Sequence, residues 1–189
     1  MTDFDAFFEA YGKPIESERA DPKLLSAYKN VVPDQLIEFW ERFGFGGYAR
    51  GLVWIVNPTQ LEDVLAEWLP AKGGKKRAVP VARTAFGNVI YWRDPGFTFL
   101  DVNYNKQFGA GGNVELLFIF YLIDKKSRKS VLEEPEFKKA FKALGMLKRD
   151  EMYAYTLPLA MGGEPGIKNM TKVKMREHLS ILAGIHQEA

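Results

Sequence analysis

AVPVARTAFGNVIYWRDPGFTFLDV, residues 78–102, is the stretch that decides the fold class. It divides into three short runs, 78–84, 87–93 and 96–102, rich in Val, Ile, Tyr, Trp, Phe and Thr. Such side chains favour pleated backbone, and the links between the runs are tight turns at Gly87 and at Pro95-Gly96. Parallel strands need a crossover of a dozen or more residues, so runs this close can pair only antiparallel. The spacing predicts a meander.

Upstream, the period is helical. Phe4, Phe7, Phe8 and Tyr11 stand at i, i+3, i+4 and i+7, with Thr2 available as N-cap and Gly12 before Pro14 as the stop. Asp21-Pro22 opens a second helix with Leu24, Leu25 and Tyr28 on one side. A third starts at Pro33 and carries Leu36, Ile37, Trp40 and Phe43 up to Gly44. After a turn at Gly46-Gly47-Tyr48, residues 51–56 read as a strand, and Asn57-Pro58 starts a helix with Leu61, Val64, Leu65, Trp68 and Leu69.

Downstream, Gly109 to Gly112 reads as a loop leading into the strongest strand, Val114 to Leu122. A helix is expected over residues 134–144, with Phe137, Ala140, Phe141 and Leu144 inward and Gly145 as its end. Residues 149–161 are mixed, the chain breaks at 162–166, and a last helix is expected over 169–184 with Asn169 as its cap. The expected class is α+β: an antiparallel central sheet flanked by helices at both ends, in two closely packed subdomains.

Composition narrows the chemistry. The chain has 189 residues, 47% of them hydrophobic, and no cysteine, which removes disulfides, thiol nucleophiles and thiolate metal sites. The N-terminus is acidic and amphipathic, without the basic and apolar regions of a signal peptide. The run Leu116 to Ile123 is far short of the ~20 apolar residues a membrane helix needs, so a cytoplasmic protein with no membrane partner is expected. None of the five serines sits in a nucleophile elbow. His178 and His186 stand two helical turns apart, about 12 Å, too far to share a metal ion. Gly109 to Gly112 precedes a strand and lacks the Lys-Ser/Thr of a phosphate loop. Carboxylates at Glu133-Glu134-Glu136 and Asp150-Glu151 read as helix N-terminal charges. No catalytic group, metal or cofactor is indicated, and the chain reads as a non-enzyme.

Net charge is +2, but residues 1–71 hold six Lys/Arg against twelve Asp/Glu, and residues 72–189 hold twenty against twelve. The acidic third would suit a basic partner. The basic runs 72–77 and 125–129 contain no aromatics, unlike stacking nucleic-acid sites, and read as solvated loops with no direct nucleic-acid role. Candidate contact residues are the aromatic and polar groups beside glycine turns: Tyr48, Arg50, Trp54, Arg83, Thr84, Phe86, Trp92 and Tyr104.

Several stretches taken together resemble a known family. Val32-Pro33-Asp34-Gln35-Leu36 with Phe39-Trp40, then Gly46-Gly47-Tyr48, Gly51-Leu52-Val53-Trp54 and Val56-Asn57-Pro58, resemble the start of the GAD-like domain. Ala82-Arg83-Thr84-Ala85-Phe86-Gly87 ahead of Tyr91-Trp92 does so too. Ala143-Leu144-Gly145 with Lys148, Asp150-Glu151-Met152-Tyr153, Leu159-Ala160, Gly162-Gly163, Lys172-Val173 and His178-Leu179 resemble the C-terminal domain that accompanies it. The combination is similar to immunity proteins that guard against type VI secretion DNase toxins. That resemblance implies a GAD-like domain over residues 1–103 and an immunity-type C-terminal domain over 104–189. It also implies that the partner is a cognate nuclease toxin, inhibited by stoichiometric binding. From the residues themselves two other readings stay open. One is a small-ligand or peptide module with a cleft lined by Tyr48, Trp54, Arg83 and Trp92. The other is a nucleic-acid accessory domain.

Overall fold

The computed structural model describes residues 4–69 and 76–188. Thr2 and residues 72–75 of the first basic run lie outside that range. Seven strands follow in chain order across one antiparallel sheet: β1 (Ile15–Glu18), β2 (Phe45–Tyr48), β3 (Val53–Ile55), β4 (Val79–Thr84), β5 (Val89–Arg93), β6 (Gly96–Asp101) and β7 (Lys106–Gly111). The three central runs form the meander read from residues 78–102. A separate two-stranded antiparallel sheet joins β8 (Glu151–Tyr155) to β9 (Met170–Lys174). The helices are α1 (Asp5–Tyr11), α2 (Pro22–Tyr28), α3 (Asp34–Phe43), α4 (Glu62–Trp68), α5 (Lys125–Ser130), α6 (Glu134–Leu144) and α7 (Met175–Glu188). The class is α+β.

Four expectations are corrected. Residues 116–122 are a π-helix, not a strand. An unbroken apolar run carries no period to separate the two, but Asn113 caps the segment, accepting from the Leu116 N–H at 2.8 Å. The run 125–129 is helical, because Asp124 accepts from the N–H groups of Lys126 and Ser127. Residues 170–174 form β9, paired antiparallel with β8, and the last helix begins at Met175. Gly109, Ala110 and Gly111, expected in a loop, belong to β7, which pairs with β6.

Gly46-Gly47-Tyr48 is strand as well as turn, and the reason is contact. Gly47 pairs with Trp54 across β2 and β3, and a Cβ on it would stand 2.9 Å from the indole. Gly47→Ala is expected to cost about 2 kcal/mol through overpacking. Urea unfolding checks this, and an unchanged midpoint would contradict the contact.

The core is continuous. Phe4 and Phe7 of the first helical segment meet Phe39 of α3 and Phe118 of the π-helix, with ring centroids 4.9–6.0 Å apart. Arene edges facing arene planes add to simple burial here. The Tyr11 hydroxyl donates to the Leu122 carbonyl and so ties α1 to the π-helix. At the other end α7 lies on α4. Arg176 pairs with Asp63, Ser180 donates to Glu67 at 3.1 Å, and His186 bonds the Val102 carbonyl at 3.1 Å.

Candidate functional site

Six of the eight candidate residues are interior. Tyr48, Trp54, Arg83, Thr84, Phe86 and Trp92 are all buried, because β2, β3, β4 and β5 are covered on both faces. Trp54 donates to the Gly51 carbonyl at 3.0 Å, and Trp92 to the Val31 carbonyl at 3.0 Å. Thr84 Oγ1 accepts from the Phe86 N–H at 3.2 Å. Among the described residues the Tyr48 hydroxyl has no hydrogen-bond partner, and burial raises its pKa. Arg50 and Tyr104 are exposed. The cleft expected between Tyr48, Trp54, Arg83 and Trp92 is not present as such. The crevice beside Trp54 and Arg83 holds about 20 Å³, room for about one water.

What the interior group builds is a joint between the sheet and the C-terminal part. Arg83, 1% exposed, stacks its guanidinium on the Trp54 ring at 4.6 Å. It donates to the Thr84 carbonyl at 3.2 Å and to the Arg149 carbonyl at 2.7 Å. Burial lowers its pKa to about 9, against the opposing pull of Asp150 and Glu16, so it is a cation at neutral pH. Arg149 in turn bonds back across the joint. Its N–H donates to Glu16 at 2.7 Å, and its guanidinium pairs with Glu18 and the Glu16 carbonyl. The Tyr153 N–H donates to the Ala85 carbonyl at 2.9 Å, tying β8 to the end of β4. Gly87, at φ +82°, brings its backbone against Met152, where a Cβ would meet the thioether at 2.5–2.7 Å. The positive φ favours glycine here, and a side chain would also have to displace the end of Met152.

Two open cavities lie against α6. The first, about 430 Å³, is lined by Asp101, Tyr104, Glu133, Glu136, Lys139 and Tyr155 among others. Its character is acidic and aromatic. Glu133 takes a left-handed backbone, φ 53°, just before α6. Burial, then the charges of Asp101 and Glu136, push its pKa up to about 7. Burial likewise raises Asp101. Among the described residues no three His, Asp or Glu stand close enough to hold a metal ion.

The folded chain therefore holds the Glu133 proton where the unfolded chain, titrating near 4.5, has released it. Stability from this group falls as pH climbs between those two values and is level above them. Glu133→Gln is expected to add on the order of 2 kcal/mol at about pH 8 and little at about pH 4. Thermal melts at both pH values check this, and equal gains at both would contradict it.

The second cavity, about 580 Å³, lies between the β2–β3 turn and α6 and is lined by Ala49, Arg50, Leu52, Glu134, Phe137, Lys138, Phe141 and Lys142. It is basic and apolar. Sequence reasoning missed its α6 wall because Phe137 and Phe141 sit at core spacing.

Compared with known proteins, the chain matches two family models. The GAD-like domain matches residues 2–105, and the T6SS immunity protein Tdi1, C-terminal, matches residues 113–186. Among solved structures it is similar to the crystal structure of Atu4351 from Agrobacterium tumefaciens. The TM-score is 0.78 at 20% identity, covering 96% of this chain and 88% of that one. At that identity the likeness speaks for the fold alone. No curated protein matches the chain.

Proposed function

Since the chain belongs to the GAD-like domain family and its C-terminal part is of the Tdi1 immunity type, we propose that it neutralises a cognate type VI secretion toxin by binding it. The toxin is a DNase, the complex is stoichiometric, and the chain itself performs no catalysis. The observation that carries this reading is the C-terminal match. Two features of the molecule agree with it. The joint ties the two parts through Arg83 and Arg149, and a tight complex needs a preformed surface of about 800 Å² per partner. The acidic first third would also draw in a basic nuclease and speed encounter.

The test is protection in living cells. Co-expression with the toxin-like product of the neighbouring gene is expected to restore growth and to yield a complex on pull-down. No rescue and no complex would sink the reading. An association rate insensitive to salt would remove the steering component alone.

A second reading, a module for a small organic cation, is favoured by the acidic, tyrosine-lined cavity. Thermal stabilisation by agmatine or spermidine, with none by any toxin, would select it.

A further inference from the structure

The basic groove beside α6 holds a cation prepared for a partner. Arg50 lies with its guanidinium 4.1 Å from the centre of the Phe141 ring. Among the described residues its N–H donors meet no acceptor and no carboxylate. Lys142, one turn further along α6 from Lys138, is likewise without a carboxylate. The one acid of the groove, Glu134, is already taken by Arg128 at 2.8 Å and Lys138 at 2.9 Å. The floor between these cations is apolar: Leu52, Phe137 and Phe141.

The backbone makes the placement harder to dismiss as an ordinary surface arginine. Ala49 and Arg50 both take left-handed conformations, φ 48° and 61°, ahead of Gly51 at φ 98°. For a residue with a Cβ each such conformation costs about 1 kcal/mol or more, and glycine would adopt it freely. The turn closes through backbone groups, Leu52 N–H to the Ala49 carbonyl and Ala85 N–H to the Leu52 carbonyl, which any residue could supply. Position 50 therefore bears strain that its contribution to the turn does not require.

The geometry points to the Arg50–Phe141 groove as a docking site for a partner segment that sets a carboxylate beside an apolar side chain. The carboxylate takes the free fork of Arg50 bidentately, with Lys142 as a second charge, while the apolar neighbour covers Leu52 and Phe137. Charge complementarity selects this occupant over a basic or neutral one. The inference rests on the toxin-binding reading for the identity of the partner, but the groove's preference can be tested without it.

Protein labelled in its backbone amides and arginine side chains is titrated with a short blocked peptide alternating leucine with glutamate. The same peptide with glutamine in place of glutamate is the control. The expected result is shifts at residues 49–52 and 137–142 and at the Arg50 Nε–H, at about tenfold lower concentration for the glutamate peptide. Arg50→Gly is expected to abolish that preference while its melting temperature holds or rises, since the strain is lifted. Equal response to both peptides, shifts elsewhere, or a preference that survives Arg50→Gly would overturn the assignment. With the inactive neighbouring toxin, Arg50→Glu combined with Lys142→Glu is expected to weaken binding by about tenfold or more. A toxin that binds wild type and double variant equally overturns the groove alone. A toxin that never binds wild type overturns the immunity reading and leaves the peptide result to stand.

Discussion

Arg83→Ala is expected to destabilise the fold by about 3 kcal/mol, and to do so at the joint. The substitution removes the stack on Trp54 and the donor to the Arg149 carbonyl, and it leaves a void where a long side chain was enclosed. Among the described residues no carboxylate hydrogen-bonds the guanidinium, whose donors go to backbone carbonyls. Arg83→Met fills the space without the charge and is expected to cost only about 1 kcal/mol. Hydrogen exchange gives the location. The Tyr153 amide, which donates to the Ala85 carbonyl, should lose more protection in Arg83→Ala than amides of β5 and β6. Equal losses across the molecule, or an alanine variant as stable as the methionine one, would contradict the account of Arg83 as a strut.

Phe118→Ala is expected to cost about 4 kcal/mol, whereas Phe120→Ala should change stability by less than about 0.5 kcal/mol. Phe118 is 1% exposed and meets Phe4, Phe7 and Phe39, while Phe120 is 63% exposed. In a strand two residues at i and i+2 share a face and would respond together. In the π-helix they point apart. Denaturant unfolding of the pair separates the two geometries, and comparable losses would restore the strand. Because Phe118 closes the cluster that seats α1, its loss should also release the first helix.

The same contrast explains what could be read in advance. Helices with caps and a polar face, such as α2 behind Asp21-Pro22 and α6 before Gly145, declare themselves through period and punctuation. The meander over 78–102 declares itself through links too short for any crossover. The 116–122 run does neither, since its apolar residues face a core on one side and water on the other at Leu116 and Phe120. Residues 170–174 carry no strand alternation, since Met170 and Val173 turn inward three positions apart, a spacing that merges with the helix that follows.

The candidate site was legible only in part, for a related reason. Trp, Tyr and Arg dominate binding surfaces, but they also fill interiors where a partner for their polar end is at hand. Trp54 and Trp92 each find a backbone carbonyl inside the fold, and Arg83 finds two. Among the described residues Arg50 finds none, and it is exposed at the β2–β3 turn. The one-dimensional spacing could not distinguish these cases, because accessibility depends on which strands lie across the sheet. Phe141, which supports Arg50 from 91 positions away, illustrates the point.

The central claim is neutralisation by a one-to-one complex, and a titration addresses it most directly. A fixed amount of the neighbouring toxin is assayed for DNA cleavage against increasing amounts of this protein, at concentrations well above the dissociation constant. The account predicts a linear fall in cleavage with a sharp end point at equal molar amounts. Cleavage that persists through a large excess, or that falls only when the DNA itself is sequestered, would contradict it.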